Sequence, residues 1–263
     1  MVHVIKGKTC PEVWLKACEY LLDKDVPKYE DYNLLLDIKS PFEISENDKI
    51  IFNLVDEFLG SKGGKRLDTV ADTIFPSSFY KNGFDHMIEE YPKFIEKLPK
   101  KCLGSWGSTY AYRLMQTKEL DGKNFSPIKK IIENIRKNSS HGKRHELNLT
   151  SFDGDIRIYD PNKGDDKFMG GPCLSHISIK VINSEFINLT ALYRNHFYIE
   201  RLLGNLIGLS KLQSCIAQET NLKPGCLVIH STAATLDRKS QCWGIDDIRT
   251  LLQDIKCEHQ KAA

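Results

Sequence analysis

The sequence predicts an α+β fold in which a mixed β-sheet is flanked by helices, and two kinds of pattern support this. Cys173 to Ile182 alternates between apolar and polar side chains, and a second β-rich run follows at Phe186 to Tyr193. Because a short polar break separates the two runs, they are expected to form a β-hairpin. Other segments carry apolar residues at the i, i+3, i+4 spacing of amphipathic helices. Strands and helices intermixed in this way are typical of an α+β fold.

The predicted helices are defined by stripes of apolar residues along each segment. They are Cys10–Asp23, Asn47–Leu59, Phe84–Leu98, Ser126–Asn138, Ile199–Thr220 and Asp246–Ile255. Asn47 is expected to cap the second helix, and Pro92 is expected to kink or interrupt the third. The segment Asp68–Phe75 is predicted to be either a short helix or extended chain.

Strands are predicted where short apolar runs are bounded by turn residues. Besides the hairpin, they are Tyr32–Ile38, His145–Leu149, Ile156–Tyr159 and Cys226–Ser231. Leu222–Gly225 is predicted to be a turn. Two loops have open interpretations: Ser61–Leu67 is either an anion-binding loop or a solvated turn, and Leu103–Arg113 either lines a pocket or only connects core elements.

Length and composition favour one globular domain spanning residues 1–263, since no Pro/Ser/Gly-rich linker divides the chain. The formal net charge of +2 predicts neither a nucleic-acid nor a membrane partner. The start of the sequence lacks the layout of a signal peptide. The eight cysteines are dispersed without a Cys-x-x-Cys pair, which predicts no metal site and reduced thiols. A cytoplasmic location is therefore expected.

The hairpin contains the sharpest chemical signal in the sequence. If Ile182 pairs near Phe186, the register brings Cys173 opposite Arg194 and Asn195. A cation beside a cysteine favours the thiolate, which is the nucleophilic form. Asn205 lies in the apolar context of the next helix, where a buried amide either ties down backbone or binds a ligand.

These residues resemble the thymidylate synthase superfamily, which includes the pyrimidine hydroxymethylases. The resemblance rests on Pro172-Cys173, the hairpin end Leu192 to Asn195, Asn205, Ile216 to Gln218, and the segment Leu222 to Gly225. Arg194 and Asn205 are eleven residues apart, as the family motif requires. The clear resemblance covers residues 165–231. A weaker one covers Gly104 to Arg113 and the basic pair Lys143 and Arg144, and the implied fold is a thymidylate-synthase-like mixed sheet.

The resemblance implies a divergent C5-methyl- or hydroxymethyltransferase that acts on a pyrimidine nucleotide monophosphate. Cys173 would add to C6 of the base and make C5 a nucleophile toward a one-carbon unit from 5,10-methylenetetrahydrofolate. Arg194 would bind the 5′-phosphate, with Asn195 beside it in the substrate site. Lys143 and Arg144 would reach the same phosphate from the partner subunit of a homodimer.

Two further roles follow from the same resemblance. Asn205 would read the O4/N3 edge of the base, which favours uracil over cytosine. Tyr110 would act near the base or in proton transfer. An acid for that relay has only a positional candidate, Glu57.

Several positions depart from the family pattern. Leu174 stands where the family has a histidine, Phe197 where an aspartate contacts the pterin, and Thr235 and Asp237 where a His-x-Tyr pair holds the sugar. These departures keep a second hypothesis open: a nucleotide-binding or scaffold protein of the same fold that has lost the chemistry. The retained pair Cys173 and Arg194 favours the enzyme.

Overall fold

The computed structural model describes residues 2–23, 25–99, 103, 107–118, 123–137, 145–149 and 171–262. Within these ranges, helices flank a mixed seven-stranded sheet, so the predicted α+β fold is confirmed. No helix in the described ranges combines the length and apolar composition needed to cross a bilayer. The predicted strand Ile156–Tyr159 and most of the polar loop before Cys173 (160–170) lie outside the described residues.

The helices fall close to the segments that the apolar stripes predict. They are α1 Cys10–Leu22, α2 Glu46–Ser61, α3 Leu67–Asp72, α4 Ser77–Tyr80, α5 Phe84–Lys97, α6 Tyr110–Met115, α7 Pro127–Lys137, α8 Leu203–Glu219 and α9 Ile245–Ala262. A short 3₁₀ turn at Pro27–Tyr29 and a π-helical turn at Tyr198–Leu202 complete the helical segments of the described chain.

The predicted cap of α2 was wrong by two residues. Ser45, and not Asn47, caps this helix: its side chain accepts a hydrogen bond from the backbone N–H of Asp48. The Asp48 carboxylate in turn accepts the backbone N–H of Ser45 at 2.7 Å. This reciprocal capping box satisfies two backbone donors at once, which is why the helix begins before Asn47.

Two other helices are longer or more continuous than predicted. α5 continues through Pro92 as one helix, so the proline does not interrupt it, and its ring is buried. α9 continues past Ile255 to Ala262. Its additional turns are tied to the rest of the molecule, since Lys256 pairs with Glu19 and the His259 Nε2 lies 3.2 Å from the carbonyl oxygen of Asn47.

The strands pair in the order β1-β2-β9-β7-β6-β5, with β8 beside the end of β9. They are β1 His3–Gly7, β2 Glu30–Ile38, β5 His145–Asn148, β6 Leu174–Ile182, β7 Phe186–Tyr193, β8 His196–Phe197 and β9 Lys223–Thr235, while β3 Thr117–Lys118 and β4 Asn124–Phe125 form a separate pair. β1 is parallel to β2 and β7 is parallel to β9, whereas the β2–β9, β6–β7 and β5–β6 pairs are antiparallel. The predicted turn at Leu222–Gly225 was wrong in part, because Lys223 already pairs with Phe186.

Two contacts fix the start of α8, which leads into the region of Cys173. Trp14 of α1 is fully buried, and its indole N–H donates to the carbonyl oxygen of Tyr198 at 2.7 Å. Asp237, just beyond β9, accepts the backbone N–H of Ile199 at 2.7 Å and also that of Glu200. The π-helical turn is therefore held by both a neighbouring helix and the end of the sheet.

The close packing of α8 against α3 depends on glycine. A Cβ atom added at Gly208 would lie 2.7 Å from the carbonyl oxygen of Ala71, and one added at Gly204 would lie 2.6 Å from Val70 Cβ. Both separations are shorter than a methyl group tolerates, so these two positions let the helix axes approach each other.

We expect Gly208→Ala to lower the free energy of unfolding by about 1–3 kcal/mol, because a backbone oxygen must move to admit the methyl group. Gly60→Ala is the matched control, since Gly60 is exposed on α2 and an added Cβ there would meet only the flexible tip of the Arg66 side chain. Because alanine has a higher helix propensity than glycine, this substitution should leave stability unchanged or raise it by up to about 1 kcal/mol. Urea unfolding of both variants measures the difference, and equal stabilities would contradict the packing argument.

Candidate active site

The hairpin places Cys173 where its register predicts. Ile182 pairs with Phe186 and Leu174 pairs with Tyr193, so the residue before β6 lies beside the residue after β7. The backbone N–H of Arg194 donates to the carbonyl oxygen of Cys173 at 2.9 Å. The predicted proximity of Cys173 and Arg194 is confirmed.

The alternation predicted for Cys173 to Ile182 does not extend to the start of this run, which corrects the prediction at Cys173. The register of the β6–β7 ladder shifts between Leu174 and His176, and an irregularity of this kind re-aims the flanking side chains. Leu174 and Ile177 are both fully buried, whereas Cys173 is only half-buried. The thiol is thus partly exposed while it still packs against the hydrophobic core.

Tyr110 holds the backbone at the thiol. Its hydroxyl oxygen accepts the backbone N–H of Cys173 at 2.9 Å and that of Leu174 at 3.1 Å. The start of α6, which carries the Tyr110 ring, is held in place because Thr109 caps the helix and the backbone N–H of Ala111 donates to the carbonyl oxygen of Thr73. Burial raises the pKa of the Tyr110 phenol to about 12, so the phenol stays protonated at neutral pH. Tyr110 therefore fixes the nucleophile in place.

Opposing effects act on the thiol. Burial raises the pKa of Cys173, while the positive charges of Arg194 and Arg201 lower it, and burial has the larger effect. The sequence predicts the cation beside the thiol but does not reveal how deeply the thiol is buried. Without a ligand, Cys173 is therefore expected to be mostly protonated at neutral pH.

Arg201 is a site residue that the sequence analysis missed. It lies in the π-helical turn Tyr198–Leu202, and insertions of this type are frequent at functional sites. One signal was available: an arginine in the first turn of a long helix opposes the helix dipole, which favours acidic residues there. Arg201 gives the thiol a second neighbouring cation.

A basic cluster extends from Arg201 to the glycine-containing loop. Glu200 lies between two cations, with Arg201 at 3.4 Å and Lys239 at 3.2 Å. Lys239 also donates to the carbonyl oxygen of Gly63, which ties the loop to this cluster. Partial desolvation and the nearby Arg201 lower the pKa of Lys65, which makes no ion pair with any described residue. The loop therefore adjoins Arg201 and Lys239, and its role in anion binding stays a prediction.

Asn205 belongs to a buried polar network. Its Nδ2 lies 2.9 Å from Nε2 of His196, whose Nδ1 lies 3.1 Å from Oγ of Ser231. Tyr198 also donates to this serine oxygen, at 3.1 Å. Burial lowers the pKa of His196 to about 3, so the ring is neutral. The Asn205 amide nitrogen faces Nε2 of His196, which accepts from it when Nδ1 carries the ring proton.

The stacked rings of Tyr193 and His196 connect this network to the thiol. Their centroids are 3.9 Å apart with an interplanar angle of 8°. Tyr193 is the cross-strand partner of Leu174, which directly follows Cys173. Asn205 and Cys173 therefore belong to one continuous packed region.

The other predicted site residues are less closely connected. Asn195 is exposed in the turn after Arg194, and Glu57 is exposed on α2. Lys143 and Arg144 lie outside the described residues. The structure thus brings together Cys173, Tyr110 and Arg194, adds Arg201, and leaves the predicted roles of the others as predictions.

A scan of the sequence finds no matching protein-family model, and a search of the curated proteins finds no match either. Inferences about the chemistry of this site therefore rest on its geometry and on the resemblance of its motifs.

Proposed function

We propose that this protein is a thymidylate-synthase-like one-carbon transferase that attacks a pyrimidine nucleotide monophosphate through Cys173. The observation that carries the proposal is the setting of this thiol. Its backbone is bonded to Tyr110 and Arg194, and its side chain lies near the charges of Arg194 and Arg201. Cations beside a fixed, partly exposed thiol favour the thiolate, which is the nucleophilic form.

The proposed step is conjugate addition. The thiol proton leaves to solvent, Sγ of Cys173 forms a bond to C6, and the π electrons of the C5=C6 bond move to C5 and O4. C5 then accepts an electrophile, or a proton from water. Departure of the thiolate and loss of the C5 hydrogen restore the ring. A nearby cation favours the first event because it stabilises the thiolate.

The basic cluster suits the 5′-phosphate. Among the described residues, Arg194, Arg201 and Lys65 bring positive charges to one region, and Glu200 pairs there with both Arg201 and Lys239. Cations attract a phosphate dianion, and arginine binds phosphate through paired hydrogen bonds.

A homodimer is part of the proposal, with Lys143 and Arg144 of a second copy completing the phosphate site as the resemblance implies. In β9, Leu227 and Ile229 are buried while Val228 and His230 stay partly exposed on the opposite face of the sheet. This partly exposed sheet face is the surface through which the resemblance implies dimerisation.

The orientation of Asn205 favours a uracil base. One N–H of the amide is directed to His196, and the carbonyl oxygen, to which no described residue donates, can accept a hydrogen bond from a ligand. Uracil offers an N3–H donor to such an oxygen, whereas neutral cytosine offers only a lone pair at N3.

We expect Asn205→Ala to abolish the preference for uracil over cytosine nucleotides. One lost hydrogen bond of about 0.5–1.5 kcal/mol corresponds to a loss of roughly tenfold discrimination at most. The dissociation constants of dUMP and dCMP, measured by calorimetry, give the ratio directly. Asn188→Ala is the control, because Asn188 bonds to Cys226 on the sheet and should leave the ratio unchanged. A ratio that is the same in Asn205→Ala and wild type would contradict the assignment.

The one-carbon donor, 5,10-methylenetetrahydrofolate, is proposed from the resemblance alone. Phe197 occupies the position where the family pattern has a pterin-contacting aspartate, and it is exposed and apolar. Its side chain offers no hydrogen bond to a pterin, so the described residues do not fit folate at this contact.

One observation favours a second candidate, a nucleotide-binding protein without chemistry: burial raises the pKa of Cys173 despite two nearby cations. Covalent trapping separates the two functions. The enzyme should form an adduct on Cys173 with 5-fluoro-dUMP and methylenetetrahydrofolate, detected as added mass on the intact chain. A binding protein should form none, with or without folate.

A further inference from the structure

The hydroxyl group of Tyr193 is buried without a hydrogen-bond partner. The side chain is 1% exposed, and its Oη atom bonds to no described residue. Phenylalanine would fill the same space without this cost, because an unpaired buried hydroxyl destabilises the folded state. The hydroxyl is therefore a candidate for a role in another state of the site.

The neighbours of this hydroxyl are the components of the proposed nucleophile. Tyr193 ends β7 opposite Leu174, and the next residue donates its backbone N–H to Cys173. Burial raises the pKa of Tyr193 well above its usual range, and the nearby Tyr110 and Cys173 raise it further. Tyr193 thus remains a protonated donor next to the thiol.

The ring of Tyr193 cannot turn easily to another partner. It stacks on His196, which Asn205 and Ser231 hold through hydrogen bonds. Its own carbonyl oxygen accepts the hydroxyl of Thr232 at 3.2 Å. The structure therefore fixes where the donor lies.

The Cys173 thiol makes a weak hydrogen bond that would be lost when the thiol ionises. Sγ of Cys173 lies 3.9 Å from the carbonyl oxygen of Gly171, where an S–H group can act as a weak donor. A thiolate has no proton to donate and is repelled by a carbonyl oxygen. It must turn toward a donor or a cation, and the Tyr193 hydroxyl is a donor that bonds to no described residue.

We propose that Tyr193 is a positioning residue for the Cys173 thiolate: its hydroxyl donates a hydrogen bond to Sγ after the thiol proton has left to solvent. The groups that face Sγ are then Tyr193 and Arg194 at the hairpin end, Tyr110 from α6, and Arg201 from the π-helical turn. The inference rests on the proposed function only in requiring Cys173 to act as a nucleophile.

The test is the pH dependence of Cys173 alkylation by iodoacetamide, followed by peptide mass spectrometry so that the other cysteines do not interfere. In Tyr193→Phe, the apparent pKa of Cys173 should rise and alkylation at pH 7.5 should slow by about 3- to 10-fold, because the thiolate loses a donor. The melting temperature should equal or exceed that of wild type. An unchanged pH profile would overturn the proposal.

Tyr198→Phe is the matched control, because it removes a buried tyrosine hydroxyl that is bonded to Ser231. It should lower the melting temperature and leave the Cys173 profile unchanged; a shift as large as that of Tyr193→Phe would count against a specific role for Tyr193.

If Tyr193→Phe does not fold, 3-fluorotyrosine at position 193, a stronger donor, should speed alkylation, and an unchanged rate would overturn the proposal. The assay contains no nucleotide, so a shifted profile supports this inference even if the proposed transferase activity is not found.

Discussion

Cys173→Ser is expected to abolish the covalent adduct that the wild-type protein forms with 5-fluoro-dUMP and methylenetetrahydrofolate. A serine hydroxyl does not ionise near neutral pH, so it cannot replace the thiolate as a nucleophile toward C6. The surrounding contacts should survive, because Tyr110 and Arg194 make hydrogen bonds to the backbone of residue 173. Intact-mass spectrometry should therefore show added mass on wild type and none on the variant.

The control for this experiment is Cys226→Ser. Cys226 is a half-buried thiol in β9, and burial raises its pKa without a nearby arginine to oppose it. This variant should form the adduct to the same extent as wild type. An adduct that persists in Cys173→Ser would locate the nucleophile elsewhere in the chain.

Arg194→Ala is expected to weaken the binding of dUMP by about 10- to 100-fold while changing the affinity for deoxyuridine little. Hydrogen bonds to a charged partner contribute about 1.5–3 kcal/mol, and each 1.4 kcal/mol is tenfold in affinity. The nucleoside lacks the phosphate and so loses nothing when the guanidinium is removed. Calorimetric titration of both ligands into wild type and variant measures the two changes.

Arg249→Ala is the matched control, since Arg249 is paired with Asp246 on the exposed surface of α9. Its dUMP affinity should match that of wild type. Equal losses for dUMP and deoxyuridine in Arg194→Ala would mean that Arg194 maintains the fold of the site and does not bind phosphate. The proposed phosphate site would then consist of Arg201 and Lys65 without Arg194.

The hairpin could be predicted because its information is local. Alternating apolar residues define two strands, a short turn sets the register, and the register places Cys173 beside Arg194. The same logic gives the stripes of the longer helices. Each of these patterns lies within one continuous stretch of sequence, so it can be recognised without knowledge of the rest of the chain.

The remaining features depend on contacts between distant segments. Arg201 reaches the region of Cys173 because Asp237 and Trp14 hold the turn before α8 in place. The orientation of Asn205 depends on His196 and Ser231, which no periodic pattern relates to it. The burial that raises the pKa of Cys173 is likewise a property of the assembled core. None of these could be predicted from spacing along the chain.

The central claim is that Cys173 adds to C6 of a pyrimidine nucleotide and thereby activates C5. Tritium release from C5-labelled dUMP, UMP, dCMP and CMP tests this claim most directly, because the C5 hydrogen becomes exchangeable only when C5 is activated. We predict release from a uracil nucleotide by wild type, increasing with pH as the buried thiol ionises, and none by Cys173→Ser. The absence of release from all four nucleotides, with and without methylenetetrahydrofolate, would contradict the claim.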